Sequence, residues 1–283
     1  MLNGCAYILT VDVGNTFIRF GLFAEGSAAA QERPLATCEI TTPSSITADE
    51  ARMRLAQVMA ALAADAGMPG ALVPTAAVLS CVVPALERPW KAALSRTCTG
   101  RVLTVGPGLK TGVPVHYDDP AEIGPDRIAD AVAARAVYGS PCIVIDLGTT
   151  TNIEVIDAHG TFVGGVIAPG LALGARSLSA AAARLPQVEP SAPTHVIGRN
   201  TREAMRSGVV LGEVARIDGM LDMVLAEMRS TKAAGEDGVP IVITGDDAEA
   251  LAALVGHSLT VDDALTLRGL AELYRINQKP RRV

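Results

Sequence analysis

No run of about 18 consecutive apolar residues occurs anywhere in the 283 residues, which argues against a membrane-spanning helix. Positive charge is not in surplus either. The formal net charge is −6, against a general affinity for nucleic acid or for an anionic membrane. Cysteine is scarce and unpatterned: Cys5, Cys38, Cys81, Cys98 and Cys142 are odd in number and never spaced Cys-x-x-Cys, so they read as reduced core thiols. The four histidines, His116, His159, His195 and His257, lack metal-ligand spacing, which argues against a zinc site. The first strand-like run begins at Tyr7 and leaves no room for a signal peptide. A soluble, cytoplasmic protein is the expectation. At 49% apolar residues the chain has enough to build a core in one large or two modest domains.

What is present is a short loop written twice. Asp12-Val13-Gly14-Asn15-Thr16 follows Tyr7-Ile8-Leu9-Thr10-Val11, and Asp146-Leu147-Gly148-Thr149-Thr150 follows Ile143-Val144-Ile145. Each aspartate stands where a buried, β-branched strand ends and the chain turns. Glycine admits a phosphate close to the backbone, threonine offers a hydroxyl donor, and a carboxylate at such a turn can hold a hard cation against phosphate oxygens. Asp-x-Gly also occurs in ordinary hairpin turns. Repetition at the same strand position favours two loops facing one nucleotide.

The rest of the pattern is α/β. Ile18, Phe20 and Leu22 alternate as the second arm of a hairpin, so the first loop is strand-turn-strand and not a Rossmann turn. The spacing predicts a helix over 47–66 with Thr47 as N-cap ahead of Glu50, strands over 76–83 and 102–105, and a long functional loop from Gly106 to Gly124. A helix from Pro125 to Tyr138 carries Asp126 and Arg127 in its first turn. Strands over 142–146, 152–157 and 161–167 follow, then helices over 170–183 and 201–230, a strand over 241–244 and a helix over 263–276. Ser230 to Gly238 reads as a surface loop.

Seven segments now stand in order: Asp12-Val13-Gly14-Asn15-Thr16, Lys110-Thr111-Gly112, Tyr117-Asp118, Gly124-Pro125-Asp126-Arg127, Asp146-Leu147-Gly148-Thr149, Gly164-Gly165-Val166-Ile167-Ala168-Pro169-Gly170 and Gly198-Arg199-Asn200-Thr201. In that order and spacing the chain resembles the type III pantothenate kinase family, from Tyr7 to about Asn277. The resemblance implies two actin-like (ribonuclease-H-like) domains with mixed sheets related by duplication, over 1–125 and 126–283, and a nucleotide cleft between them. It implies ATP-dependent phosphorylation of the terminal hydroxyl of pantothenate, the first step toward coenzyme A.

By the same resemblance Asp126 is the general base. Asp12 positions Mg²⁺, and the loop through Val13, Gly14, Asn15, Thr16, Phe17, Ile18 and Arg19, with Thr149, contacts the nucleotide. Tyr117, Gly124, Pro125, Asp126 and Arg127 contact pantothenate, whose carboxylate suits the planar fork of an arginine. Asp146 holds a monovalent cation, K⁺ or NH₄⁺. Thr201 reaches the neighbouring subunit's site, so a homodimer is implied.

Plainer readings stand beside these. Asp12 and Asp146 can be turn formers, Asp126 a first-turn dipole partner, Arg127 a solvated charge, Tyr117 a loop anchor and Thr201 an N-cap. Three positions depart from the family pattern: Glu154 where aspartate is usual, Asp246 after Gly245 where a second glycine is usual, and Pro125 where a small residue is usual. The first two leave open a kinase-like protein that binds without transferring phosphate. A related kinase for a sugar or acetate, or an exopolyphosphatase, would share the phosphate loops but not Gly124 to Arg127.

Overall fold

The computed structural model describes residues 6–26, 31–68, 71–235 and 238–278; Cys5 falls outside them. Contacts divide the chain into two compact units. One takes the chain up to Tyr138 and resumes at Ala264; the other is Gly139–Asp263.

The first unit opens with an antiparallel meander, β1 (Tyr7–Val13), β2 (Phe17–Ala24) and β3 (Ala36–Thr41). β4 (Ala76–Cys81) then joins β1 in parallel and β5 (Val102–Thr104) joins β4, giving the order β3-β2-β1-β4-β5. Period-two alternation sends Leu9, Val11 and Val13 of β1 to one face. There they meet Leu55 and Leu62 of α1 (Ala48–Asp65) and Leu86 and Trp90 of α2 (Pro84–Thr97). Phe20 tilts against Trp90 with ring centroids 5.6 Å apart, the geometry aromatic pairs prefer. α1 begins with the capping box its sequence predicts: Glu50 N–H donates to Thr47 Oγ1 at 3.2 Å, and Thr47 N–H donates to Glu50 Oε2 at 2.8 Å.

The opposite face of the sheet carries α3 (Pro125–Tyr138) and the last helix, α8 (Leu265–Ile276), which pack on each other and on β4. Their approach is close enough that a Cβ on Gly269 would lie 1.9 Å from Ala129 O. α3 buries Ala129, Ala131, Ala133 and Ala134 with Val132 here. That burial is why the first unit extends past the expected break at 125/126, to Tyr138, and takes back α8.

The second unit repeats the plan. β6 (Cys142–Leu147), β7 (Thr150–Ile156) and β8 (Phe162–Pro169) form the meander; β9 (Ile241–Gly245) pairs in parallel with β6 and β10 (Thr260–Val261) with β9. The order β8-β7-β6-β9-β10 therefore repeats β3-β2-β1-β4-β5, strand for strand and sense for sense. Ile143, Ile145 and Leu147 meet Val214, Ile217 and Leu221 of α6 (Gly212–Ser230) in its core. The expected helix over 201–230 is α5 (Thr201–Arg206), a π-helical turn (Ser207–Leu211) and α6 in unbroken succession. α4 (Leu171–Ala181) and α7 (Ala248–Ala252) complete the unit. Among the described residues no helix is long and apolar enough to cross a membrane.

Candidate functional site

The first loop sits at the C-terminal end of β1, as expected. Gly14 N–H donates to Phe17 O at 3.0 Å and closes the hairpin. Thr42, just past β3, braces it by donating its hydroxyl to Gly14 O at 2.7 Å and its N–H to Thr16 O at 2.9 Å. Asn15 and Thr16 are exposed at the tip. The side chains of Val13 and Ile18 are packed in the core, so only their backbone groups remain for a ligand. Arg19 lies opposite Asp12 in the strand pair and binds Glu39 at 2.9 Å.

Asp12 lies on the face of β1 opposite Val11 and Val13, one residue before the strand ends, and is 9% exposed. Its register partner on β4 is Ser80, fully buried. Burial pushes the Asp12 carboxyl from 3.8 up to about 6; the nearby Asp126 carboxylate adds to the rise, while Ser80 and Arg19 oppose it. Asp12 Oδ1 is buried without a hydrogen-bond partner. A half-satisfied buried carboxylate beside a second carboxylate is a place where a cation fits. Among the described residues no three His, Cys, Asp or Glu side chains converge as a metal cage, so an ion at Asp12 would take its other ligands from phosphate and water, as Mg²⁺ commonly does.

Asp126 opens α3 from the same side. Its Oδ1 accepts from Arg127 N–H at 2.8 Å, and burial raises its carboxyl above the ordinary value. Gly124 makes room for it: a Cβ there would stand 2.3 Å from Asp126 Oδ1. Pro125 fits the first helical position, where no amide hydrogen is needed. Arg127 is buried and Tyr117 half-buried, so Arg127 is not the solvated charge of the plainer reading. The first unit thus brings together Asp12, Asp126 and their neighbours. Sequence reasoning missed Ser80 and Thr42; Ser80 was signalled only as the one hydroxyl in the apolar run 76–81.

In the second unit Asp146 ends β6 half-buried, between Asn152 on β7 and Thr244 on β9. Asn152 Oδ1 is buried without a hydrogen-bond partner, and the three neighbouring positions carry a carboxylate, an amide oxygen and a hydroxyl, the donor types hard cations prefer. Gly170 N–H donates to Thr149 O at 3.0 Å, and Asp246 N–H donates to Leu147 O at 2.6 Å, so two turns rest on the second loop. Gly245 has φ +91, and its Cβ would lie 2.0 Å from Leu147 O. The position that requires glycine keeps it. Positive φ is absent at Asp246 and found instead at Asp247, φ +57, which aspartate tolerates. Glu154 is fully buried in β7. Thr201 is exposed at the start of α5, whose cap is Asn200, accepting from Glu203 N–H at 3.0 Å; the N-cap role belongs to Asn200.

The sequence pattern of the type III pantothenate kinase family matches residues 8–223. A type III pantothenate kinase from Koribacter versatilis is 37% identical over 275 residues, 96% of each chain. Another, from Nocardia farcinica, is 40% identical over 280 residues, 97% of this chain and 99% of its own. Among solved structures, a Campylobacter jejuni protein assigned to the Baf family of transcriptional activators superposes with a TM-score of 0.54 at 18% identity, over 95% of this chain and 98% of its own. The ethanolamine utilization protein EutJ from Carboxydothermus hydrogenoformans gives 0.51 at 15% identity, over 94% and 90%. At those identities the likeness is one of fold.

Proposed function

The chain belongs to the type III pantothenate kinase family, and from that premise we propose that it transfers the γ-phosphoryl group of ATP to the primary hydroxyl of pantothenate, with Asp126 as general base. The observation that carries the reading is the pairing of Asp12 and Asp126 in the first unit, each raised by burial and Asp12 further by its neighbour. Phosphoryl transfer asks a protein for positioning and charge neutralisation more than for covalent chemistry.

Asp12 would hold Mg²⁺, which when bound neutralises phosphate charge. The exposed Asn15 and Thr16, with the Gly14 backbone, would donate to phosphate oxygens. Asp126 accepts the hydrogen bond of the attacking hydroxyl and takes its proton late, so its orientation counts for more than its basicity. Gly124 and the Arg127 amide fix that orientation. Arg127 would bind the pantothenate carboxylate, Tyr117 would close over the substrate, and Thr149 would reach the nucleotide. Asp146, with Asn152 and Thr244, would hold K⁺ or NH₄⁺.

A homodimer completes the reading, with Thr201 reaching the partner's site. It is supported by apolar side chains left outside on the second unit: Ile197 is 83% exposed and Val196 74%, close in sequence to Thr201. Adjacent exposed apolar side chains of this kind are a common feature of protein–protein contact surfaces.

The test is ADP release from purified protein with MgATP, with and without pantothenate, in K⁺ and in Na⁺ buffer. Pantothenate-dependent release that needs K⁺ is expected. Release indifferent to K⁺ would detach Asp146 from its ion. No release from folded protein would favour a kinase-like binder, with Asp246 the first residue to revert.

A further inference from the structure

Lys110-Thr111-Gly112 is a motif to which the reading above gives no work. A lysine before Thr-Gly invites a phosphate-binding role, yet Lys110 is exposed and its contacts here are through its backbone. Lys110 N–H donates to Asn277 Oδ1 at 3.2 Å, and Asn277 Nδ2 donates back to Lys110 O at 2.7 Å. The same Nδ2 donates to Leu273 O at 2.8 Å, which ties the side chain to the last turn of α8. Arg101, before β5, donates to Asn277 O at 3.0 Å. Two residues on, Gly112 turns the chain with φ +73 and its carbonyl accepts from Arg135 of α3. Thr111 closes the turn on itself, its Oγ1 accepting from Val113 N–H at 3.2 Å.

These bonds fix the Lys110 end of the loop, while the next turn is seated by the buried Val113. Beneath Thr111, Gly112 and Val113 lies a cavity of about 460 Å³, walled by Arg135, Glu272, Arg275 and Ile276, so the segment has space to move if released. Its downstream end leads through Tyr117 to Gly124 and the first turn of α3. A loop anchored at both ends samples fewer conformations than one anchored at one.

We propose that Asn277 is a positioning residue for the acceptor substrate: it clamps the backbone of Lys110 to the end of α8 and so sets the loop that presents Tyr117. The inference rests on the pantothenate kinase reading for its kinetic consequence, but not for the clamp. Asn277 lies at the far end of the chain from the phosphate loops, so the last described helix closes the substrate loop of the first unit.

The experiment measures hydrogen exchange over residues 106–117 and steady-state kinetics for Asn277→Ala, Asn277→Asp and Lys110→Ala. Asn277→Ala forfeits three side-chain hydrogen bonds, so exchange of this segment should quicken and KM for pantothenate rise about tenfold, with kcat and KM for ATP within about threefold of the parent. Asn277→Asp keeps the acceptor but not the donors, sets a carboxylate against the Lys110 carbonyl, and should act in the same direction if the alanine variant fails to fold. Lys110→Ala should change nothing, because only its backbone is used. Unaltered exchange and KM in the Asn277 variants would overturn the proposal, as would Lys110→Ala reproducing their defect. If the parent lacks pantothenate-dependent turnover, the functional reading fails by itself, and exchange alone decides the clamp.

Discussion

Asp12 is pulled in two directions by its position. Burial beside Asp126 raises its carboxyl to about 6, whereas holding a cation requires it ionised. Because the folded value exceeds the ordinary 3.8, the folded protein grips this proton more tightly; the stabilisation is complete below about pH 4 and is lost as pH rises through about 6. Asp12→Asn should therefore unfold later than the parent at about pH 7.5 without nucleotide or Mg²⁺, by up to about 3 kcal/mol, and at the same point near pH 4, while losing turnover. Equal stability at both values in denaturant melts would contradict the argument. For the parent, kcat/KM for MgATP should fall as the pH drops below about 6, since the free enzyme must ionise Asp12 to take up the cation, whereas kcat at saturating MgATP should hold to lower pH because a bound cation favours the carboxylate. For Asp126→Asn, kcat should fall by about 10²- to 10⁴-fold with pantothenate binding kept, read by titration calorimetry; lost binding with kcat intact would count against the base role. Gly124→Ala should mimic it while keeping the carboxylate, because the added Cβ would stand 2.3 Å from Asp126 Oδ1 and push it out of place. The places of the aspartates, the glycines and Arg127 at strand and helix ends were legible in the sequence because a loop motif is contiguous. Ser80 and Thr42 were not, because what puts them beside Asp12 and Gly14 is strand register and the end of β3, which a single segment does not reveal.

Most elements follow from local pattern, and the departures have local causes. α1 announces itself through Thr47 and Glu50. Thr47→Ala should cost about 1 kcal/mol in thermal or denaturant unfolding and leave turnover unchanged; a larger cost would mean that the cap also carries tertiary contacts. α2 is hidden in the sequence, because Pro84 and Pro89 read as breakers, yet Pro84 sits at the tolerated first turn and Leu86, Trp90, Ala93 and Leu94 still form one buried stripe. β3 and β10 are edge strands, six and two residues long, and edge strands carry a weak pattern because only one side is paired. The π-helical turn between α5 and α6 is invisible to a 3.6-residue period. At the end of β9, Gly245→Ala would combine a positive φ with a Cβ 2.0 Å from Leu147 O. KM for ATP should rise in that variant more than KM for pantothenate, since the turn it disturbs rests on the second phosphate loop; equal effects on both would assign Gly245 to general stability.

At the scale of the whole chain, the duplication was legible twice over, as repeated loops in the sequence and as repeated strand order in the fold. The chain path was not. α8 lies beyond the second unit in sequence but belongs to the first, and its packing on β1 and β4 together with its close seat against α3 at Gly269 decides that. The proposed dimer makes the sharpest demand on the molecule as a whole, because Asp126 and Thr201 of one active site would then come from different subunits. A C2 dimer built so has two identical composite sites. Asp126→Asn should inactivate each site through the subunit that owns it, and Thr201→Glu, a first-turn substitution with an acidic residue of the kind helix starts favour, should inactivate the partner's site by setting a bulky negative charge in it. Mixing the two inactive proteins after dissociation and reassociation should form heterodimers in which one site carries both defects and the other carries neither. Random pairing makes about half the dimers mixed, so about a quarter of the parent's sites should return. Recovered turnover of that size, absent when either variant is reassociated with itself, is the expected result. No recovery despite mixed dimers demonstrated by native mass spectrometry would place Thr201 in its own subunit's site, and a monomer at working concentration would remove the shared site altogether.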